Sequence, residues 1–247
     1  MIENERLLYI AEKIEREGTV QLQELCSTLN SSASTIRRDF EKLEQQNILK
    51  RVHGGAVKVG IQLTTASAAP TDSRLPVNID EKNRIAKKCA EIVTDGDFVF
   101  VDGGSTFLDL PRYLEGKCVT IVTHNDLIRS HANSTVTVIV IGGHNLPDYK
   151  MNVGPLSLKF LNAFHFDKAF IGCGGINSET LSVCTGEIDT AQVKEAAIEK
   201  SVLTYIAVDS SKIDVVGFYD FANSEDFTGI ILPQECALKN ATNQIFV

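Results

Sequence analysis

The stretch Ser32-Ala33-Ser34-Thr35-Ile36-Arg37-Arg38-Asp39-Phe40-Glu41-Lys42-Leu43-Glu44 reads as one helix. Ile36, Phe40 and Leu43 share a single apolar stripe, and Ser31-Ser32 in front of it are suitable N-caps. At 100° per residue, Ser34 and Arg38 lie roughly opposite Ile36, with Thr35 and Arg37 flanking it. Hydroxyls and guanidiniums therefore crowd the first two exposed turns. Such a face suits a DNA major groove: Arg forks onto guanine or holds phosphate, Ser and Thr bond to either, and the helix N-terminus favours a phosphate oxygen. The alternative is a solvated face on which Arg38 or Lys42 pairs with Asp39, Glu41 or Glu44.

Two further helices precede this one. Over residues 4–17, Leu7, Ile10, Ala11 and Ile14 recur at i, i+3, i+4, i+7, and Gly18 ends the run. Residues 21–29 repeat the period through Leu22, Leu25, Cys26 and Leu29 before Asn30-Ser31 breaks it. Three short helices joined by tight turns make a helix-turn-helix pattern. Beyond them, residues 48–57 read as two short strands around a turn, a wing with Lys50, Arg51 and His53 near its tip. His53 is equally consistent with a neutral, structural role in the turn.

The run Ser32 to Phe40, Leu43-Glu44, and Arg51-Val52-His53-Gly54-Gly55-Ala56 together resemble the winged helix-turn-helix of the DeoR family of bacterial transcriptional regulators. Gln21 departs from the better capping residue that often opens the second helix. The resemblance implies DNA-binding roles for Ser32, Ser34, Thr35, Arg37, Arg38, Lys42, Arg51 and His53.

Past about residue 58 the chain loses its period and becomes rich in Thr, Ser, Ala and Pro, so residues 1–58 read as the head, 59–79 as a linker and 80–247 as the body. Charge divides along the same line. Residues 1–58 hold nine Lys/Arg and nine Asp/Glu, and the remainder, with 15 cationic and 23 acidic residues, carries the whole formal charge of −8. An acidic body with a balanced head argues against coating nucleic acid by bulk positive charge and permits a small reading head. At 27.0 kDa, 43% hydrophobic and 23% charged, the composition is that of a globular protein. No run is long and apolar enough for a membrane span, and the charged first twenty residues argue against a secretory signal. The six cysteines, scattered without C-x-x-C, read as buried free thiols in a reducing cytoplasm; the histidines show no metal-ligand rhythm, so no metal is expected.

In the body, a helix with Ile85, Ala86, Cys89, Ile92 and Val93 inward precedes apolar strands at 97–102, 119–123, 136–141, 168–172, 203–209 and 228–232, with helices expected at 106–114 and about 190–201. Continuous apolar strands are covered on both faces, which predicts an α/β body with a largely parallel sheet. Polar residues cluster where these strands end: Asp102-Gly103-Gly104-Ser105-Thr106, Thr123-His124-Asn125, Gly142-Gly143, Gly172-Cys173-Gly174-Gly175 and Asp209-Ser210-Ser211-Lys212. Ligands of open α/β sheets bind at strand carboxyl ends, so these loops should converge on one site. Gly104-Ser105-Thr106, read as opening a helix, would offer N–H groups and hydroxyls to a phosphate; Asp102 and Asp209 suit sugar hydroxyls, and Lys194 or Lys212 would balance phosphate charge. Gly142-Gly143 and Gly174-Gly175 are equally explained as ordinary turns. Gly172-Cys173-Gly174-Gly175-Ile176-Asn177 fails the dinucleotide pattern at Asn177, and no cofactor is expected.

From Arg74 and Glu81-Lys82 to Ile231, with the stretches at 102–106, 122–125, 141–143, 169–172, 193–194 and 208–212, the body also resembles the DeoR effector domain, which is similar in fold to ribose-phosphate isomerases and CoA-transferase-like proteins. The resemblance implies a phosphorylated sugar held by Asp102, Gly103, Gly104, Ser105, Thr106, Thr123, Asn125, Gly143, Gly174, Lys194, Asp209 and Lys212. Before Lys194 the family pattern has an acid followed by Ala, whereas this chain has Thr190-Ala191. The expectation is a cytoplasmic repressor of a sugar-utilisation operon, a homodimer or homotetramer on double-stranded operator DNA. The alternative is a sugar-phosphate isomerase-like enzyme with an appended helical head.

Overall fold

The computed structural model describes residues 3–52, 55–58, 70–217 and 219–247, and the chain divides into two compact units, residues 1–63 and 64–247. In the first unit, α1 (Glu3–Glu17) leads into β1 (Thr19–Gln21), α2 (Leu22–Thr28), α3 (Ala33–Gln45), β2 (Leu49–Val52) and β3 (Gly55–Lys58). The three helices and the wing follow the sequence pattern; β1 is an addition. It pairs antiparallel with β3, which also pairs with β2, and this explains Gln21: it belongs to a strand, and its side chain makes no capping bond to α2. Ile10, Ile14, Leu25, Ile36, Phe40, Leu43 and Leu49 form the buried core. At Gly55 β3 passes so close to β1 that a Cβ would lie 2.1 Å from the Val20 carbonyl oxygen, so only glycine fits.

The second unit contains α4 (Thr71–Arg74), α5 (Ile79–Ile92), β4 (Phe98–Val101), α6 (Leu110–Tyr113), β5 (Val119–Thr123), β6 (Val136–Val140), β7 (His144–Leu146), β8 (Met151–Val153) and α7 (Pro155–Leu161). It continues with β9 (Phe166–Gly172), β10 (Gly175–Ile176), β11 (Ser182–Thr185), α8 (Ile188–Glu199), β12 (Ser201–Ala207), β13 (Tyr219–Asn223), β14 (Gly229–Leu232) and β15 (Gln244–Phe246). Seven strands form one sheet in the order β15-β14-β12-β9-β4-β5-β6, every pairing parallel. Alternate residues go to opposite faces. Phe100, Val122, Ile171 and Ile206 join Leu161, Val193 and Ala197 in one core; Val99, Val101, Ile121 and Phe170 join Ile85, Ala86, Cys89, Leu110 and Leu114 in the other. A second sheet, β10-β11-β13, and the β7-β8 hairpin complete the unit.

Three expectations need correction. The helix expected from 106 is only the four residues of α6, because Pro111 lacks an N–H and is accommodated in a first helical turn; the chain before it is a series of turns. Residues 70–79, read as linker, belong to the body: Thr71 is fully buried and its hydroxyl donates to the Tyr149 carbonyl over 2.8 Å. The cysteines are free thiols, but only Cys89 and Cys184 are buried, and Cys118 is exposed.

Candidate functional site

Two constellations carry chemistry, one in each unit. In the head, Ser32 caps α3: its Oγ accepts the Thr35 N–H at 3.2 Å and lies 2.8 and 2.9 Å from the hydroxyls of Ser34 and Thr35. Ile36, Phe40 and Leu43 anchor the inner face. Asp39 is buried with them, receiving Nε and Nη2 of Arg6 at 2.6 and 3.0 Å, so α1 holds α3 by a two-pronged ion pair. Ser34, Arg37 and Arg38 are exposed.

The carboxylates on α3 pair differently from the solvated-face alternative. Asp39 is taken by Arg6, Glu41 and Glu44 both bind Arg51 of the wing, and Lys42 pairs with Glu3 of α1. Arg37 and Arg38 make no ion pair among the described residues. Of the expected DNA contacts, then, Ser32, Ser34, Thr35, Arg37 and Arg38 share the start of α3, whereas Lys42 and Arg51 are already paired. His53 lies outside the described residues.

In the body, the strand order reverses between β4 and β9: chain order runs outward through β5 and β6 on one side and through β12 and β14 on the other. Splaying of the loops at such a point opens a crevice beyond the strand ends. Asp102, immediately after β4, is completely buried there. Its Oδ2 accepts the Gly172 N–H at 2.9 Å and binds Lys194 of α8, whose Nζ also donates to the Gly172 carbonyl over 3.0 Å. His124 Nε2 lies 2.9 Å from the other carboxylate oxygen. Burial opposes charge on Asp102, but Lys194 and His124 outweigh it and hold the carboxyl well below the ordinary carboxylate range. This ionic knot ties β4, β5, β9 and α8 together beneath the crevice.

Above it lies a pocket of about 500 Å³, counted out to open solvent, lined by Gly103, Gly104, Ser105, Thr106, Gly172, Cys173, Gly174, Thr185, Thr190, Lys194 and Lys212, with Arg74, Tyr149 and Met151 at its side. Gly104 has φ +91°, which the loop itself asks of a glycine, while a Cβ on Gly103 would meet the flexible Met151 side chain at 2.3 Å and be relieved by its movement. Desolvation of the half-buried Cys173 thiol pushes it up to about 12, which disfavours its thiolate at neutral pH.

The expected residues divide into lining and support. Asp102, Gly103, Gly104, Ser105, Thr106, Gly174, Lys194 and Lys212 line the pocket. Asn125 is buried behind it, donating to the Gly104 carbonyl over 3.0 Å, and its N–H donates to the Thr123 hydroxyl over 3.1 Å. Asp209 is outside the lining, receiving Asn78 at 2.9 Å and the Ser211 hydroxyl at 2.5 Å. Gly143 also lies outside: its backbone packs so closely on Ser157 that a Cβ would fall 2.0 Å from the hydroxyl.

Arg74, where the resemblance to the effector domain begins, was given no role in the site by the sequence reading. Its Nη2 donates to the Thr71 hydroxyl at 2.9 Å and its guanidinium lies 5.8 Å from the centre of the Tyr149 ring. Its Nε is buried and has no hydrogen-bond partner among the described residues. Burial draws its pKa down, with Tyr149 and Asp102 opposing. The lining therefore holds Arg74, Lys194 and Lys212 against the single carboxylate of Asp102, which Lys194 already neutralises.

A winged helix-turn-helix head and an α/β body with a cationic pocket at its switch point define a two-part regulator architecture. The DeoR-like helix-turn-helix domain matches residues 6–61 and the DeoR C terminal sensor domain matches residues 77–234; the chain belongs to the DeoR family of transcriptional regulators. It is 31% identical to the uncharacterized HTH-type transcriptional regulator FruR of Bacillus subtilis, over 95% of this chain and 93% of that one. It is 28% identical to the lactose phosphotransferase system repressor of Staphylococcus aureus, over 100% and 98% of the two chains. Among solved structures it is similar to ribose 5-phosphate isomerase A from Neisseria gonorrhoeae, with a TM-score of 0.39 and 17% identity over 55% of this chain and 53% of that one. No helix of the described residues is long and apolar enough to cross a membrane.

Proposed function

We propose that the protein is a cytoplasmic repressor that binds double-stranded operator DNA through the exposed start of α3 and releases it when a phosphorylated sugar occupies the body pocket. Ser34, Thr35, Arg37 and Arg38 read the major groove, with Ser32 fixing the helix end, and a homodimer or homotetramer sets two heads on two half-sites. The observation that carries the effector assignment is Arg74: a half-buried guanidinium whose Nε is buried and unsatisfied among the described residues, beside the Gly103-Gly104-Ser105 loop, is a receptor for an anionic oxygen. Lys212 adds a second cation, while Thr185, Thr190 and Ser105 offer hydroxyls to a sugar. The name of the Staphylococcus aureus relative joins a sugar to phosphoryl transfer, and we carry both to this chain.

The isomerase-like alternative finds little support in the pocket's candidate bases. Asp102 is engaged by Lys194, the Gly172 N–H and His124, and the Cys173 thiol is disfavoured as a thiolate, which supports a pocket that binds rather than turns over. The test is fluorescence anisotropy of the full chain on DNA that it enriches from a random-sequence pool, with a panel of pentose and hexose phosphates. One ester should release the DNA, and Arg74→Met should keep the DNA complex while losing that response. Indifference of the wild type to every ester, or an unaltered response in Arg74→Met, overturns the effector assignment.

A further inference from the structure

The head holds nine Lys and Arg residues, and most are neutralised within it. Arg6 pairs with Asp39, Lys13 with Glu17 and Glu24, Arg16 with Glu17, Lys42 with Glu3, Arg51 with Glu41 and Glu44, and Lys58 with Glu15. Among the described residues this leaves Arg37, Arg38 and Lys50 without an ion pair, all exposed. The first two belong to the recognition face. Lys50 lies on β2 of the wing.

Strand geometry separates Lys50 from its neighbour. Successive side chains of β2 point to opposite faces. Leu49 is buried in the head core, so Arg51, two residues on, shares the face that packs on α3, and Lys50 takes the other. On that inner face Arg51 is fastened at three points. Its backbone N–H donates to Glu44 Oε1 at 2.8 Å, its Nε to Glu44 Oε2 at 2.6 Å, and its Nη1 to Glu41 Oε1 at 2.7 Å. Both lone-pair edges of one carboxylate are thus committed to the same strand residue, and a second carboxylate one turn earlier takes what remains of the fork. The Arg51 N–H and guanidinium hold the Glu44 carboxyl below its ordinary range, so the clamp is fully charged at neutral pH. A DNA phosphate approaching Arg51 would compete with two carboxylates in direct contact; at Lys50 it meets an exposed ammonium that feels Glu44 through space but is bonded to no carboxylate among the described residues.

We propose that Lys50 is the wing's phosphate contact and that Arg51 is a positioning residue, clamping β2 to the recognition helix so that the wing meets DNA at a fixed angle. This rests on the reading that the head binds DNA. Each phosphate contact adds about 0.9 to the steepness with which log K falls against log salt concentration, so a contact and a clamp differ in a measurable way.

The experiment uses the full chain on a duplex that it enriches from a random-sequence pool, with affinity measured from low to moderate salt. Lys50→Gln should weaken binding and flatten the salt slope by about 0.9. Arg51→Gln should weaken binding with the slope unchanged, and in a Glu41→Gln/Glu44→Gln background it should cost nothing further, because the clamp is already gone. Thermal melts establish that each variant folds, and the Lys50 arm decides the contact even if Arg51→Gln does not. An unchanged slope in Lys50→Gln overturns the assignment of the contact. A loss of about 0.9 in Arg51→Gln with and without the glutamates, or wild-type affinity in Arg51→Gln, overturns the positioning role. Failure to enrich any duplex overturns the DNA-binding reading itself, and this inference with it.

Discussion

The head and the body handle positive charge in opposite ways. In the head, apart from Arg6 buried on Asp39 and the largely covered Lys13, cations stand at the surface and most share a carboxylate, as Lys42 does with Glu3 and Lys58 with Glu15. The body pocket takes one cation out of solvent and half-buries another: Lys194 sits on a buried carboxylate, and Arg74, with its Nε buried, rests among the described residues on a hydroxyl and the face of a ring. An exposed pair contributes about 0–1 kcal/mol, so head cations can change partners as salt or a polyanion demands. Breaking a buried pair is far more damaging, and a buried donor left unsatisfied destabilises the protein that keeps it. The contrast separates a surface made for exchange from a cavity made for one occupant.

The largest test of that contrast is Asp102→Asn. It leaves the Lys194 ammonium buried without its counter-ion, and denaturant titration should show the body destabilised by about 3–5 kcal/mol. Because the folded carboxyl titrates below its unfolded value of about 3.9, the stabilisation is complete above that pH and is lost as pH falls further; acid titration of Asp102→Asn should lack this component. Next comes Arg74→Met. Loss of a charge-assisted bond of about 1.5–3 kcal/mol predicts effector binding weaker by about 10- to 150-fold in calorimetry, while the unliganded melting temperature holds or rises. A clear fall in that temperature would make Arg74 a structural cation and break the comparison.

In the head, Arg38→Ala should reduce affinity for the enriched duplex by about 1–3 kcal/mol, with folding stability within about 0.5 kcal/mol of wild type. Glu3→Gln, which releases Lys42, is the smallest expected effect. It should leave the melting temperature unchanged, and a measurable drop would mean that the head's surface pairs resemble the body's buried one.

Legibility in the sequence followed the range of the forces involved. The stripe of Ile36, Phe40 and Leu43 and the cap at Ser32 are local, and both lie where the pattern places them. The parallel strands were readable because burial on both faces leaves continuous apolar runs such as Phe98-Val99-Phe100-Val101. Arg74 marks where the family resemblance begins, but its place in the site was not legible, because nothing in Thr71-Asp72-Ser73-Arg74 reveals that Tyr149, far along the chain, will pack on it. The expected helix at 106 had a usable signal in Pro111, since a proline marks a first turn. Gly143 and Asp209 share the strand-end setting of the lining residues; only the folding of Ser157 and Asn78 against them turns them from the pocket. Partner choice among charges was likewise hidden, because Glu41 and Glu44 are nearer in sequence to Arg38 than to Arg51, the partner they take.

Gly55 has a consequence for genetics. Every missense change of its codon introduces a Cβ, and that atom collides with the backbone at Val20, where no side-chain rotation can relieve it. A screen for loss of DNA binding should therefore return this codon through all of its missense alleles alike, conservative or not. The damage falls on the joint between β1 and the wing, so such alleles should still make full-length protein with a working pocket, deaf at one end and able to hear at the other.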